Sequence, residues 1–265
     1  MKQFILTKKP DKDNLVRLEG GDYRYLVRVR RLAAGEFFPA VLPDGSKTLI
    51  QILSADDGVL TGKCSAPENT ETPDAAALPQ IPPIILFQAL PKGEKMDLIV
   101  RQAAEGGIAE IVPFVSEFSL ARPKAEGPKF SRWQRIIREA RQQSGSKIAT
   151  GIRPPLTMNE LLDYWKNLSE TGAVGLLFHH RGLEQKSLHS YLDIVPKTAV
   201  FAIGPEGGFS EKEVSLFLEN GFKPITIGDT ILRTETAALY CAAAIKILLL
   251  EKNSWELKQV KRGSV

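Results

Sequence analysis

The sequence predicts an α/β protein in which a small β domain precedes a larger domain built on a mostly parallel sheet. Five prolines fall between Pro67 and Pro83, and because proline fits neither a helix interior nor a central strand, the chain divides there. Short apolar runs alternate with turn residues before that segment, and strands alternate with helices after it. The predicted boundaries are 1–72 for the β domain, 73–83 for a proline-rich linker, 84–253 for the larger domain and 254–265 for a tail.

The first domain is predicted to consist of strands because short apolar runs recur along it at regular spacing. Turn signals separate the runs, among them Gly20-Gly21-Asp22, and Asp44-Gly45 is a hairpin signal. Such spacing is typical of a small barrel or sandwich. The predicted strands cover residues 3–6, 26–29, 36–42, 48–53 and 59–63.

The second domain is predicted to alternate strands with helices, which is typical of a parallel sheet covered by helices on both faces. The predicted strands cover residues 84–90, 110–115, 174–178, 199–203 and 225–227. The predicted helices cover residues 92–105, 132–143, 158–168, 211–220 and 234–250.

The composition is that of an ordinary globular protein, with 43% apolar and 25% charged residues. The two cysteines, Cys64 and Cys241, lie far apart, which indicates a reducing compartment and argues against structural zinc. The apolar stretch at the N-terminus is too short for a signal peptide. The longest apolar run, Ala237–Leu250, is too short to span a bilayer and contains Lys246. We therefore expect a cytoplasmic protein.

The histidines give a weak signal for metal binding. His179, His180 and His189 have no carboxylate or cysteine partner at the spacing that metal ligands require. Core or surface histidines explain them better, and we expect no metal.

Basic side chains are concentrated in residues 120–155, where nine Lys and Arg accompany two Glu. Arg135, Arg138 and Arg141 are three residues apart and so line one side of the predicted helix. Concentrated arginine is what binding to a phosphate backbone needs, and a solvated helix face is the alternative. The first domain carries a smaller arginine cluster that includes Arg28 and Arg30.

Two glycine-bearing loops follow predicted strands and indicate a ligand pocket. The turn Gly204–Gly208 joins a strand to a helix that starts with a capping box, Ser210 and Glu213. A second strand reaches Gly228 shortly before the last helix. Ligands of open α/β sheets bind at such strand ends, so one composite pocket is predicted, with a plain tight turn as the alternative. The glycine spacing excludes the dinucleotide-binding fingerprint.

Four stretches of the chain resemble the RsmE-type 16S ribosomal RNA (uridine N3) methyltransferases of the SPOUT superfamily. The resemblance covers essentially the whole chain, and Val27–Val29 followed by Ala34–Glu36 is similar to the family's PUA-like barrel. The four stretches are Ala89–Asp97, Arg132–Ile136 with Glu139–Ser144, Ile203–Ser210, and Leu232–Ala237.

The resemblance implies a fold and a set of partners. It implies an N-terminal PUA-like β-barrel that binds RNA and a C-terminal, trefoil-knotted SPOUT methyltransferase domain with a mostly parallel sheet. S-adenosylmethionine is expected in the knot, with 16S rRNA or the small ribosomal subunit as partner. A homodimer whose interface buries the last helix is also implied. Because the sulfonium methyl group is already activated, the chemistry needs no metal.

The resemblance also implies site residues. From their position between the cofactor loop and the last helix, Arg233 is expected to stabilise the uridine N3 anion and Glu235 to orient that arginine or its loop. An Arg233–Glu235 pair that only stabilises the knot is the alternative. The cofactor is expected to contact Phe178, Ile203, Gly204, Gly207, Ile227, Gly228, Leu232, Thr234 and Ala237. RNA is expected to contact Arg28, Arg30, Lys92, Arg122, Arg135, Arg138 and Arg141.

Three positions depart from the family pattern. Gly106 stands where the family usually has leucine, and Phe118 and Ser146 stand where it usually has arginine. The substitutes expected for the two arginines are Arg122, Lys147 or Arg153. Two alternatives therefore stay open: a SPOUT-fold RNA-binding or ribosome-assembly factor with impaired catalysis, and a SPOUT enzyme with a different target nucleotide.

Overall fold

The computed structural model describes residues 4–43, 46–65, 81–120, 127–180 and 182–262, with the backbone alone over 253–262. The chain forms two compact units. Unit 1 comprises Met1–Ala76 and Arg141–Ala149, and unit 2 comprises Ala77–Ala140 and Thr150–Val265. Most of the predicted linker, and the Asp44-Gly45 hairpin signal, lie outside the described residues.

Unit 1 contains a five-stranded mixed sheet with the strand order β1-β3-β4-β5-β2. Strand β1 pairs with β3 in parallel, whereas the other three pairs are antiparallel. One face buries an apolar core that includes Phe38, Ile50 and Leu60. The strands are β1 (Phe4–Ile5), β2 (Leu15–Glu19), β3 (Phe37–Val41), β4 (Lys47–Asp56) and β5 (Val59–Ser65).

The prediction of a strand at 26–29 is wrong. Helix α1 (Gly20–Tyr23) is followed by a π-helical turn over Arg24–Val29, in which Leu26 is buried in the core and Val29 is exposed. A short apolar run does not distinguish a strand from a helical turn, and here the tertiary core selects the helix. Strand β2 was not predicted, although its alternating buried and exposed residues have the period of a strand.

Unit 2 contains a six-stranded parallel sheet with the order β11-β9-β10-β6-β7-β8. The central strands β6 and β10 are almost wholly buried, as expected for a sheet covered on both faces. The strands are β6 (Ile84–Ala89), β7 (Glu110–Phe114), β8 (Gly151–Ile152), β9 (Ala173–Phe178), β10 (Thr198–Ile203) and β11 (Lys223–Ile225).

Helices cover both faces of this sheet, which confirms the predicted α/β arrangement. One apolar cluster joins the sheet to α2, α3 and α7, and a second joins it to α4 and α6. Within α7, Ala238, Cys241, Ile245 and Leu249 form the buried face. The helices are α2 (Lys95–Gly106), α3 (Pro128–Ser144), α4 (Met158–Glu170), α5 (Leu188–Tyr191), α6 (Glu211–Glu219) and α7 (Thr234–Arg262).

Two predicted boundaries in unit 2 are wrong. Strand β11 ends at Ile225, because residues 226–233 leave the sheet and line the cavity described below. Helix α7 continues to Arg262, so most of the predicted tail 254–265 is helical. Strand β8 and helix α5 were not predicted because each is too short to show a period. Among the described helices, none is both long and apolar enough to cross a membrane.

Candidate functional site

A cavity of about 510 Å³ lies at the carboxyl ends of three neighbouring strands, β9, β10 and β11. The last residue of each strand, Phe178, Ile203 and Ile225, lines it. The wall continues through the glycine-rich turn, the segment 226–233 and the first turns of α7. Parallel strands end at one edge of the sheet, so segments distant in sequence meet there.

The predicted composite pocket is thus present in the structure. Both glycine-bearing loops contribute to one cavity, and Arg233 also lies on its lining. Glu235 lies outside that lining. All nine residues expected to contact the cofactor line the cavity: Phe178, Ile203, Gly204, Gly207, Ile227, Gly228, Leu232, Thr234 and Ala237.

The turn after β10 requires glycine for steric reasons. A Cβ atom on Gly204 would lie 3.1 Å from the backbone carbon and 3.2 Å from the Cα of Gly208. Gly208 itself has φ +72°, and its N–H donates to the carbonyl of Pro205 over 2.9 Å. The predicted capping box is present, because Ser210 and Glu213 exchange side-chain and backbone hydrogen bonds at the start of α6. The turn is therefore closed on itself and presents backbone groups to the cavity.

A buried polar chain fixes this turn to the last helix. The hydroxyl of Thr234, the first residue of α7, donates to the carbonyl oxygen of Gly204 over 2.7 Å. The same hydroxyl accepts a hydrogen bond from Nε2 of Gln88 in β6, over 3.1 Å. Both side chains are buried, so these bonds are shielded from water. They hold three elements in register at the edge of the cavity.

Lys95, at the start of α2, holds two carboxylates at the cavity rim. Its Nζ lies 2.8 Å from Glu206 Oε1 and 3.6 Å from Glu235 Oε2. The hydrogen bond with Glu206 raises the pKa of Lys95, against a smaller effect of burial. Burial alone would raise the pKa of Glu206, but Lys95 and backbone amides, including that of Lys92, hold that pKa below its usual range. Both groups therefore stay charged near neutral pH.

Of the two roles expected for Glu235, orienting Arg233 or orienting its loop, the ion pairs in the structure favour the second. Within the described residues, its ion pair is with Lys95 instead of Arg233. Arg233 is exposed on the cavity lining, whereas the side chain of Glu235 turns toward α2. Glu235 lies in the first turn of α7. Its ion pair with Lys95 links α7 to α2, and the second ion pair of Lys95, with Glu206, extends this link to the glycine turn.

Sequence reasoning missed several residues of the lining. His179 and His180 directly follow β9, and their rings lie 4.8 Å apart at the cavity. Their position directly after a predicted strand indicates a ligand site, but the histidines were judged only by the spacing that metal ligands require. Cys241 lies one helical turn after Ala237, and burial raises the pKa of its thiol. Lys95 lies in the stretch Ala89–Asp97 that resembles the family, but it was not among the expected site residues. Within the described residues there is no group of three His, Cys, Asp or Glu that could hold a metal ion.

Comparison with known families shows which family the chain belongs to. The family model for the RNA methyltransferase domain matches residues 79–246, which include the whole parallel sheet and the cavity. The chain belongs to the RNA methyltransferase domain family.

Two relatives and one solved structure of this family align with most of the chain. The ribosomal RNA small subunit methyltransferase E of Synechocystis is 32% identical over 236 residues, covering 88% of this chain and 73% of that protein. The enzyme of the same name from Aquifex aeolicus is 33% identical over 229 residues, covering 85% and 91%. A crystal structure of the Neisseria gonorrhoeae enzyme bound to S-adenosyl methionine superposes with a TM-score of 0.76 at 26% identity, covering 94% of this chain and 98% of that one.

The residues expected to bind RNA differ in their exposure to solvent and in their neighbours. Arg28 and Arg30 are exposed in unit 1, and Lys92 is exposed beside the glycine turn. Arg135 is exposed on α3 and lies 3.8 Å from Glu139 one turn later. Arg122 lies outside the described residues.

The proposed stripe on α3 is wrong at its third member. Arg135 is exposed and Arg138 is half-buried, but Arg141 is only 7% exposed, and burial lowers its pKa. Its neighbours Ala140 and Gln142 are also buried, whereas Glu139 and Gln143 are exposed, so the exposed side of the last turns does not include Arg141. A spacing of three residues identifies a helix side but not whether that side faces water.

The structure shows the surroundings of one departure from the family pattern, Gly106, and of two residues expected to substitute for the missing arginines. Gly106 adjoins a second cavity, of about 120 Å³, between α2 and α7. Arg153, one expected substitute for the missing arginines, is already engaged: its Nε lies 2.8 Å from Glu110, and its guanidinium stacks 4.0 Å above the ring of Tyr164. Lys147 is exposed and remains a candidate.

Proposed function

We propose that this protein is an S-adenosylmethionine-dependent methyltransferase that methylates N3 of a uridine in 16S rRNA. The observation that carries the proposal is the cavity at the strand ends, which gathers all nine expected cofactor residues. Its volume of about 510 Å³ lies in the range, roughly 300–1,000 Å³, of sites for small molecules. The Neisseria relative was crystallised with S-adenosyl methionine, which supports the same cofactor here.

The residues present fit this cofactor. Gly204 and Gly207 lie on the cavity lining without side chains, so a ligand can approach the backbone of the turn closely. Ile203, Ile227 and Leu232 supply apolar surface, and Thr234 fixes the carbonyl of Gly204. When bound, S-adenosylmethionine supplies a methyl group activated by its sulfonium charge.

The chain's own residues prepare the acceptor. Uridine N3 must lose its proton before it can attack, and positive charge near the base favours the resulting anion. Arg233 carries that charge on the cavity lining, at the start of the last helix. Lys95 serves a positioning role, because it holds Glu206 of the glycine turn and Glu235 of α7 together. Alignment of N3 with the methyl group completes the reaction.

The proposal includes the architecture that the resemblance implies. We propose that residues 226–233 pass the glycine turn as part of a trefoil knot, which the link between Thr234 and Gly204 supports. We propose that the mixed sheet of unit 1 is a PUA-like barrel that binds 16S rRNA or the small subunit. A homodimer is proposed because Leu239, Tyr240 and Ile247 leave an exposed apolar face on α7.

The deciding experiment is mass spectrometry of nucleosides from 16S rRNA of cells with and without the gene. We expect 3-methyluridine to be lost without the gene and restored by a plasmid copy. Loss of a different methylated nucleoside would instead indicate another target. An unchanged nucleoside profile would indicate an RNA-binding or ribosome-assembly factor.

A further inference from the structure

The turn Ser116–Ser119, which follows β7, is fixed to α6, the helix after the glycine turn. Glu213 of α6, 5% exposed, accepts hydrogen bonds from the hydroxyl of Ser116 over 3.2 Å and from the N–H of Glu117 over 2.9 Å. Within the turn, the Ser119 hydroxyl accepts from the Ser116 N–H, and the Ser119 N–H donates to the Ser116 carbonyl. Because Glu213 also caps α6 through Ser210, one buried carboxylate fixes this turn relative to the glycine turn.

Phe118 belongs to this fixed turn and packs against Gly207 of the glycine turn. A Cβ atom on Gly207 would be 3.0 Å from Cβ and 3.3 Å from Cγ of Phe118. Gly207 belongs to the cavity lining, so the aromatic ring borders the same turn. The turn's serines, Ser116 and Ser119, are buried, yet Phe118 is 45% exposed.

An exposed aromatic ring on a rigid turn contributes little to the core but presents an apolar face to a ligand. Proteins recognise single-stranded RNA by stacking splayed bases on such rings. Phenylalanine has no charge to offer a phosphate, so contact with the RNA backbone does not explain it.

We propose that Phe118 stacks on an unpaired base of the substrate RNA beside the glycine turn. The inference rests on the proposed function and assigns a substrate contact to a position where the family usually has arginine. Stacking orients the base beside the glycine turn without any ion pair. The contribution of Phe118 to RNA binding should therefore be independent of salt concentration.

The test compares Phe118→Leu, which removes the ring, with Phe118→Tyr, which keeps it. Ile194→Ala is the control, because Ile194 is an exposed apolar residue of unit 2 that does not line the cavity. Small subunits from cells that lack the gene serve as substrate, with radiolabelled S-adenosylmethionine. Loss of one stacked base corresponds to a fall of about ten- to a hundredfold in kcat/KM for the subunit.

The expected results distinguish stacking on a base from an ionic contact with a phosphate. Phe118→Leu should weaken filter binding to the subunits by a similar factor at every salt concentration, with an unchanged salt slope and unchanged calorimetric affinity for S-adenosylmethionine. Phe118→Tyr and Ile194→Ala should stay within about twofold of the wild type in both assays.

Three results would overturn the inference: wild-type RNA binding by Phe118→Leu, loss of cofactor affinity in that variant, or an altered salt slope. If the wild type transfers no methyl group to the subunits, the proposed function fails. Filter binding then still decides whether Phe118 contacts RNA.

Discussion

At the scale of single residues, Thr234 connects the glycine turn to the rest of unit 2. Its hydroxyl bonds to the carbonyl of Gly204 and to the amide of Gln88, which lies 146 residues away in sequence. Removing the hydroxyl while keeping the side-chain shape takes this donor from the carbonyl of Gly204 and leaves Gln88 Nε2 with the carbonyl of Ala89 as its remaining partner. Such a change is costly because neither water nor another side chain replaces the lost bond.

We expect Thr234→Val to lower the free energy of unfolding by about 1–3 kcal/mol, the usual cost of a buried polar group without its partner. The same variant should bind S-adenosylmethionine more weakly, because the Gly204 carbonyl is no longer fixed. Urea denaturation and calorimetry measure the two effects. Thr234→Ser keeps the hydroxyl and serves as control; equal stability of the valine variant and the wild type would contradict the assignment.

Arg233 is the residue whose charge the proposed chemistry uses. Removing a charge that stabilises a transition state typically lowers the rate by about 10²–10³. We therefore expect Arg233→Ala to lose turnover by that order in single-turnover methylation, while it still folds and binds S-adenosylmethionine.

The matched control for Arg233→Ala is Arg101→Ala, which removes an exposed arginine from α2. Its turnover should equal that of the wild type. A rate for Arg233→Ala close to the wild-type rate would assign Arg233 to structure and direct the search to Lys92 and Lys147.

At the scale of elements, two adjacent glycines end α2 in different conformations. Gly106 is the last helical residue, and a Cβ there would meet nothing within 4 Å. Gly107 has φ +75° and provides the left-handed residue that ends the helix. Because of this difference, we expect alanine to change the free energy of unfolding in opposite directions at the two positions.

We expect Gly106→Ala to raise the free energy of unfolding by about 0.4–1 kcal/mol, because it restricts the unfolded chain at no steric cost. For a unit of this size the melting temperature should rise by about 2–4 °C per kcal/mol. Gly107→Ala should lower stability by about 1 kcal/mol, because alanine disfavours a positive φ. Differential scanning calorimetry measures both, and a destabilised Gly106→Ala would show that the second cavity has no room for a methyl group.

We propose that helix α3 contributes to RNA binding through Arg135 and Arg138, the two arginines of the stripe that are not buried. We expect Arg135→Ala and Arg138→Ala each to reduce the salt slope of binding to rRNA by about one unit, because each removes one phosphate contact. Arg135→Lys keeps the charge and should keep the slope. Filter binding between 50 and 200 mM salt, roughly the range in which such slopes are resolved, tests this. Unaltered slopes in both alanine variants would identify a solvated helix face.

At the scale of the whole molecule, α7 has apolar residues on two sides. Ala238, Cys241, Ile245 and Leu249 pack in the core, whereas Leu239, Tyr240 and Ile247 are exposed. A helix that is apolar on both sides is typical of burial in an interface. A two-fold dimer would cover this face.

We expect light scattering to give twice the 29.2 kDa mass of one chain. Tyr240→Glu places a charge in the proposed interface and should shift the protein toward the monomer mass. Ile194→Glu, at an exposed position elsewhere in unit 2, should leave the mass unchanged. A wild-type mass near 29.2 kDa at micromolar concentration would exclude the dimer.

Local patterns in the sequence were sufficient to predict most of the helices and strands of unit 2. The period of apolar residues predicted the strands and helices, and the capping box at Ser210 and Glu213 located the start of α6. Glycines at two strand ends predicted a composite pocket, and the structure contains it. These signals are reliable because hydrogen bonds and steric limits within a few residues determine them.

The tertiary structure decided the features that depend on distant contacts. Leu26 is helical because the core of unit 1 receives it, and Arg141 is buried although its spacing predicted exposure. Lys95 reaches Glu235 across 140 positions, and Glu213 holds Ser116 across 97. The sequence by itself determined which elements form and where a ligand could bind. Which side chains meet at that site was decided by packing, because burial and pairing between distant residues leave no local pattern in the chain.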